Sequence, residues 1–217
     1  MASFLNVVSV KMTFGNRTIM IIPTGEYENA LRQRGVFCIA GIDEAGCGAI
    51  AGPVVAAAVV LPLNHGLKVR DSKLLSPNQR DRLFAEIQAI AEQIGTGIVD
   101  ATVIDEIGIR PATFLAMTKA LSALRALDHV LVDGWNIPGV KISQTRIVKG
   151  DQKEFCIAAA SIVAKVTRDR LMVEANALYP EYAFAAHKGY GTATHREAIG
   201  LHGVSPLHRR SFRFHNP

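Results

Sequence analysis

Much of what would announce a function is missing from this sequence. No apolar run reaches the ~18–20 residues that cross a bilayer, because Val54–Leu61 stops at Pro62. A membrane protein is therefore not expected. The N-terminus has no basic start, long apolar core or small-residue cleavage site of the secretory kind, and cytoplasmic residence is the expectation. Cysteine is scarce: Cys38, Cys47 and Cys156 show neither CxxC spacing nor a paired histidine, which argues against a disulfide framework and a zinc site. Cys38 and Cys156 read as small buried hydrophobes, whereas Cys47 lies between two glycines. No Walker A string and no G-x-S-x-G elbow occurs. Repeats, low-complexity tracts and linkers are absent too, so one domain with at most a small appendage is expected.

What is present is an ordinary globular composition, 49% hydrophobic and 20% charged over 217 residues. Such a chain buries about 70% of its unfolded surface and needs no staples. The net charge of +5 is unevenly spread. Residues 1–140 hold 12 Lys/Arg and 13 Asp/Glu, whereas residues 141–217 hold 12 and 6. A C-terminal basic excess fits a polyanion such as nucleic acid, with a solvated basic face as the plain alternative.

Along the chain, residues 1–22 alternate weakly and read as an N-terminal extension; Met12 or Met20 could equally be a start. Glu26–Arg34 reads as a short helix ended by Gly35. Phe37–Asp43 and Val54–Leu61 read as strands whose short link favours antiparallel pairing. Ser76-Pro77 opens a helix that the pattern carries to Ile94, with Gly95 and Gly97 ending it before a strand Thr96–Ala101. Helices at Val103–Ile107 and Pro111–Leu127 follow, then strands His129–Val132 and Thr145–Val148. Asp151 is placed to cap a long helix running to about Tyr179. This order predicts an α/β layered domain with a mixed sheet.

The chemistry centres on Phe37–Val60, where Asp43 and Glu44 interrupt a small, apolar run. Two ionised carboxylates about 4 Å apart repel by ~4 kcal/mol at an effective dielectric near 20, so the pair calls for a cation. Asp133 ends another buried strand and Asp151 caps a helix. A lone Asp in such a place is usually structural, but the adjacent pair favours four carboxylates meeting in one cleft. Oxygen ligands without Cys or His favour Mg²⁺ or Mn²⁺ over Zn²⁺. Two such ions suit phosphodiester hydrolysis. The glycines of AGCGAIAG loosely match a dinucleotide fingerprint, but Pro53 blocks the required helix and the carboxylates would repel a pyrophosphate.

Projected at 100° per residue from Asp151, Ala158, Ser161, Lys165 and Arg168 fall on one face, along which a phosphate backbone could run. An amphipathic helix with a polar face is the bland alternative. His187-Lys188-Gly189-Tyr190-Gly191-Thr192 sets a ring between glycines, a platform for a sugar or base, or else a buried tail tyrosine. His208-Arg209-Arg210-Ser211-Phe212-Arg213 reads as a phosphate contact or a solvated end.

These residues resemble ribonuclease HII, the bacterial type 2 ribonuclease H. GIDEAGCG, AGPVVAAAVV, DSKLLS, LVDG, KGD, IAAASIVAKVTRDR, HKGYGT and HRRSF occur in family order from about Gly25 to Phe212. The resemblance implies a ribonuclease H-like fold: a mixed central β-sheet flanked by helices, with a helical C-terminal segment. It implies residues 23–180 as catalytic domain and 181–217 as a segment completing the substrate site. The implied activity is a monomeric endonuclease that cuts RNA in RNA–DNA hybrids and nicks duplex DNA 5′ to an embedded ribonucleotide, leaving 3′-OH and 5′-phosphate, as in ribonucleotide excision repair. Asp43, Glu44, Asp133 and Asp151 match the family's metal carboxylates, and Tyr190 its ribose-stacking tyrosine. Gly46, Cys47, Gly48, Lys73, Ser161 and Lys165 match substrate-contacting positions.

One departure stands in the most diagnostic motif: Cys47 occupies the place of the family's arginine between Gly46 and Gly48. A lost charge-assisted hydrogen bond costs roughly 1.5–3 kcal/mol, or about 10- to 150-fold in binding. The expectation is weakened cleavage, with a non-cleaving hybrid-binding relative as the alternative and a DNA-only nuclease on the same fold as a third reading.

Overall fold

The computed structural model describes residues 22–69 and 75–212. All but Ile22 of the N-terminal extension, and Lys73 with its loop, lie outside the described residues.

Five strands form one sheet in the order β3-β2-β1-β4-β5. β1 (Ile39–Ala45), β2 (Val54–Val60) and β3 (Gln93–Val99) are an antiparallel meander, while β4 (His129–Asp133) and β5 (Ser143–Ile147) join parallel to β1. The Gly-rich link between β1 and β2 is short enough only for the antiparallel pairing the sequence predicts. Strand alternation divides the core. On one side Ala40, Ile42, Val54, Ala56, Ala58 and Val60 meet α4 (Ile109–Ser122) through Ala112, Ala116, Met117 and Ala120. On the other, Ala57 and Val59 meet α2 (Pro77–Ile90) and the long helix α5 (Phe155–Leu178). α1 (Glu26–Gln33) docks at the start of α5 by mutual capping. Glu154 accepts from the Tyr27 and Glu28 amides, and Glu28 accepts from the Cys156 amide. α3 (Ala101–Ile107) precedes α4, and α6 (Phe184–His187) and α7 (Ala193–His202) make the C-terminal segment helical, as expected. Among the described residues no helix is long and apolar enough to cross a membrane.

Three local expectations need correction. The start of α2 is as read, a capping box in which Ser76 accepts from the Gln79 amide and Gln79 returns the bond, with Pro77 at the first helical position. Its end is not: the helix stops at Ile90, and Gly95 and Gly97 lie inside β3 instead of terminating a helix. Helix α4 crosses them so closely that a Cβ on Gly95 or Gly97 would lie 2.1 or 1.9 Å from the carbonyl oxygen of Ala120 or Ala116. Asp151 does not cap α5. It sits in a single 3-10 turn, Gly150–Gln152, and Glu154 holds the cap position. Cys156 is buried as expected, but Cys38 is only partly so.

Candidate active site

β1 and β4 are parallel neighbours paired through Ile42 and Val132, so their C-terminal ends carry Asp43 and Asp133 to the same edge of the sheet. Alternation turns Asp43 toward α5, where Ser161 bonds its carboxylate, and leaves Glu44 on the α4 side. The Glu44 amide donates to Asp43 Oδ1 at 2.8 Å. The Gly150 amide donates to Asp133 Oδ1 at 2.7 Å, which draws the 3-10 turn, and with it buried Asp151, to the same end of the sheet.

Asp43, Glu44 and Asp133 line one cavity of about 480 Å³ together with Gly46, Cys47, Ser161, Lys165 and Tyr190. Asp151 is buried and Gly48 is exposed, and neither lines this cavity. Burial, then the charges of Glu44 and Asp133, push the Asp43 carboxyl well above the usual carboxylate range. This is excess negative charge in a dry place. Among the described residues no three His, Cys, Asp or Glu side chains converge closely enough to hold an ion as they stand. The donor chemistry nevertheless fits one: every candidate ligand is a carboxylate oxygen, the preference of a hard divalent cation, and the charge on Asp43 is what such an ion would neutralise.

The glycine loop after β1 is built around a buried guanidinium. Arg168 is 0% exposed and donates to the carbonyls of Ala51, Pro53 and Lys188 at 2.9–3.1 Å. Gly46 has φ +97°, and a Cβ there would stand 2.0 Å from Arg168 Nε, so only glycine fits. Arg168 is therefore an internal strut, which corrects its reading as part of a phosphate-binding face. Lys165, one turn earlier, does reach the cavity, paired with Asp169 at 2.8 Å and lying 5.4 Å from the Tyr190 ring.

Cys47 Sγ lies 3.6 Å from Glu44 Oε1 and 3.3 Å from Thr113 Oγ1. Thr113 already donates to the Ile109 carbonyl, so the one thiol hydrogen has two acceptors within reach. Burial and the Glu44 charge push the thiol up to about 12, and it is neutral at pH 7.

The HRRSF tail is neither a phosphate contact nor a solvated end at its first two residues. Arg209 is 0% exposed, donating from Nε to Gly52 O at 3.0 Å and from Nη1 to Cys47 O at 3.1 Å. Its Nη2 is buried without a hydrogen-bond partner among the described residues. The neighbouring His208 acts on the tyrosine loop. The Ser205 amide donates to His208 Nδ1, which fixes the proton on Nε2; that proton goes to His195 Nε2 at 3.0 Å, leaving His195 Nδ1–H for the Tyr190 carbonyl at 2.9 Å. Burial lowers the pKa of His187, His195 and His208, that of His195 to about 4, so the relay is neutral at pH 7. Adjacent tail residues thus hold both the glycine loop and the tyrosine loop. His195, Thr113 and this relay carried no signal in the sequence beyond the presence of histidine.

A groove of about 650 Å³ extends from Tyr190 between α2 and α5, lined by Arg80, Lys165, Arg170 and Lys188 and also by Asp81, Asp169 and Glu174, with Lys165 paired to Asp169 and Arg170 to Asp81.

The family model of ribonuclease HII matches residues 40–215. The ribonuclease HII of Chloroflexus aurantiacus is 51% identical over 202 residues, 89% of this chain and 94% of that protein. That of Geobacter sulfurreducens is 53% identical over 190 residues, 87% and 88% of the two chains. Among solved structures, the ribonuclease H2 of Pyrococcus horikoshii superposes with a TM-score of 0.68 at 28% identity, over 80% of this chain and 93% of its own. The ribonuclease HII of Archaeoglobus fulgidus, solved in complex with PCNA, gives 0.69 at 25% identity over 83% and 97%. With this agreement over nearly the whole catalytic framework, the chain belongs to the ribonuclease HII family, metal-dependent endoribonucleases that act on RNA–DNA hybrids.

Proposed function

We propose that this enzyme hydrolyses the phosphodiester bond 5′ to a ribonucleotide, in hybrids and in duplex DNA with embedded ribonucleotides, leaving 3′-OH and 5′-phosphate. The observation that carries the reading is one cavity in which Asp43, Glu44 and Asp133 face Tyr190. A carboxylate cluster beside a sugar-sized ring suits a reaction that must cut a phosphate and identify its ribose. Asp43, Glu44 and Asp133, joined by Asp151 from the adjoining turn, would hold Mg²⁺ or Mn²⁺. Bound there, the ion supplies Lewis-acid polarisation of the phosphate and lowers the pKa of water.

The chain's own residues do the rest. Tyr190, its carbonyl fixed by His195, packs on the ribose and presents the side that distinguishes a 2′-OH. Gly46, by leaving room for Arg168, holds the loop in shape, and the loop's backbone groups around Gly48 read the ribonucleotide. Lys165 and Ser161 border the phosphate path, and Lys73, outside the described residues, is assigned to substrate binding by the resemblance of its DSKLLS motif. Cys47 offers a neutral thiol where the family arginine would offer a cation, so the enzyme grips its substrate less tightly while its carboxylates remain competent. We assign residues 23–180 as the catalytic domain and 181–217 as the segment completing the substrate site, a reading supported by the bonds from Arg209 and His208. Removal of ribonucleotides misincorporated in DNA, by a cytoplasmic monomer, is the corresponding role.

The test is a labelled duplex carrying one ribonucleotide, its all-DNA twin and a hybrid, each with Mg²⁺, Mn²⁺ or EDTA. Metal-dependent cutting 5′ to the ribonucleotide is expected. Binding without cutting would leave a hybrid-binding protein, and cutting of the all-DNA twin would point to a general nuclease.

A further inference from the structure

Glu44, Cys47 and Asp133 face two cavities. One holds Tyr190. The other, about 390 Å³, is lined on its far side by Arg110, Thr113 and Trp135, and its size falls within the range of small-ligand clefts, roughly 300–1,000 Å³. Two aromatic rings therefore flank the carboxylates.

Trp135 is 57% exposed, unusual for the largest apolar side chain unless something covers it. Its place is fixed: Gly134 takes φ +77°, the Trp135 amide donates to the Asp133 carbonyl at 3.0 Å, and the Arg110 guanidinium lies over the ring at 5.1 Å. Arg110 is exposed on the first turn of α4, whose Thr113 touches Cys47.

We propose that Trp135 and Arg110 form a second backbone subsite, which takes one sugar–phosphate unit of the substrate flanking the cleaved bond, on the side opposite Tyr190. Bases within a duplex are stacked on each other, so the ring packs against a sugar face and the guanidinium pairs with the adjoining phosphate. Arg110 thereby supplies a cation to the same cavity in which Cys47 supplies none. This inference rests on the nuclease reading above.

Trp135 is the chain's single tryptophan, so its emission reports this subsite alone. The single-ribonucleotide duplex is titrated into the wild type in EDTA while anisotropy of the labelled duplex follows binding. The expected result is a saturable change in emission with the same midpoint as the anisotropy. Trp135→Ala should raise Kd about 3- to 10-fold and Trp135→Phe much less. Arg110→Gln should flatten the log–log salt dependence by about one, which loss of a merely structural pair would not do. Silent emission during full binding, or unchanged Kd and salt slope in both variants, overturns the subsite. Wild-type cleavage is run alongside: if the enzyme cuts while Trp135 stays silent, only the subsite falls, whereas failure to bind or cut removes the nuclease reading and the subsite with it.

Discussion

Replacing Cys47 by arginine should tighten substrate binding. A charge-assisted bond to a phosphate contributes roughly 1.5–3 kcal/mol, or about 10- to 150-fold. Two local effects reduce this. Glu44 lies 3.6 Å from the sulfur and would compete for the new guanidinium, and Cys47 packs partly against the core under α4, contact the longer side chain must give up. Together they remove about 1 kcal/mol, leaving roughly 0.5–2 kcal/mol, a net gain of about 2- to 30-fold in kcat/KM. The gain should appear in KM, with kcat little changed, because the carboxylates are untouched. Steady-state kinetics on the single-ribonucleotide duplex at several salt concentrations measures both, and the salt slope should steepen by about one. An unchanged KM and slope would refute the reasoning and show that the missing cation is immaterial here.

Stability should fall on acidification through the histidine relay. His195 is held neutral down to about 4 by burial, against about 6.5 in the unfolded chain, and His187 and His208 are shifted the same way. Between those values the unfolded state binds the extra protons, so Tm should drop as pH falls from about 6.5 toward 4. His195→Asn should flatten that slope; a Tm independent of pH across this window would contradict it. Gly97→Ala should destabilise by about 1–3 kcal/mol in denaturant unfolding, since the added methyl meets the Ala116 carbonyl; a midpoint equal to wild type would show that α4 can shift.

The carboxylates were legible because they break rules: charges inside small, apolar strands need a partner, and strand ends are where parallel neighbours bring them together. The Ser76-Pro77 start was legible because capping is local. Arg168 and Arg209 were not. Whether a guanidinium meets solvent or carbonyls depends on segments far away in sequence, Ala51 and Lys188 for Arg168 and Cys47 and Gly52 for Arg209, and a helical projection reports only the direction of a side chain. Part of the C-terminal basic excess is thus structural. The glycines of β3 misled for a related reason: a glycine that ends a helix and one that admits a crossing helix are the same letter.

The most direct measurement is cleavage of the single-ribonucleotide duplex by wild type and by Asp43→Asn, with folding checked by circular dichroism. The site as described predicts metal-dependent nicking 5′ to the ribonucleotide by the wild type, and a loss of about a hundredfold or more in a folded Asp43→Asn protein. Cutting by that variant at the wild-type rate would contradict the assignment of the site.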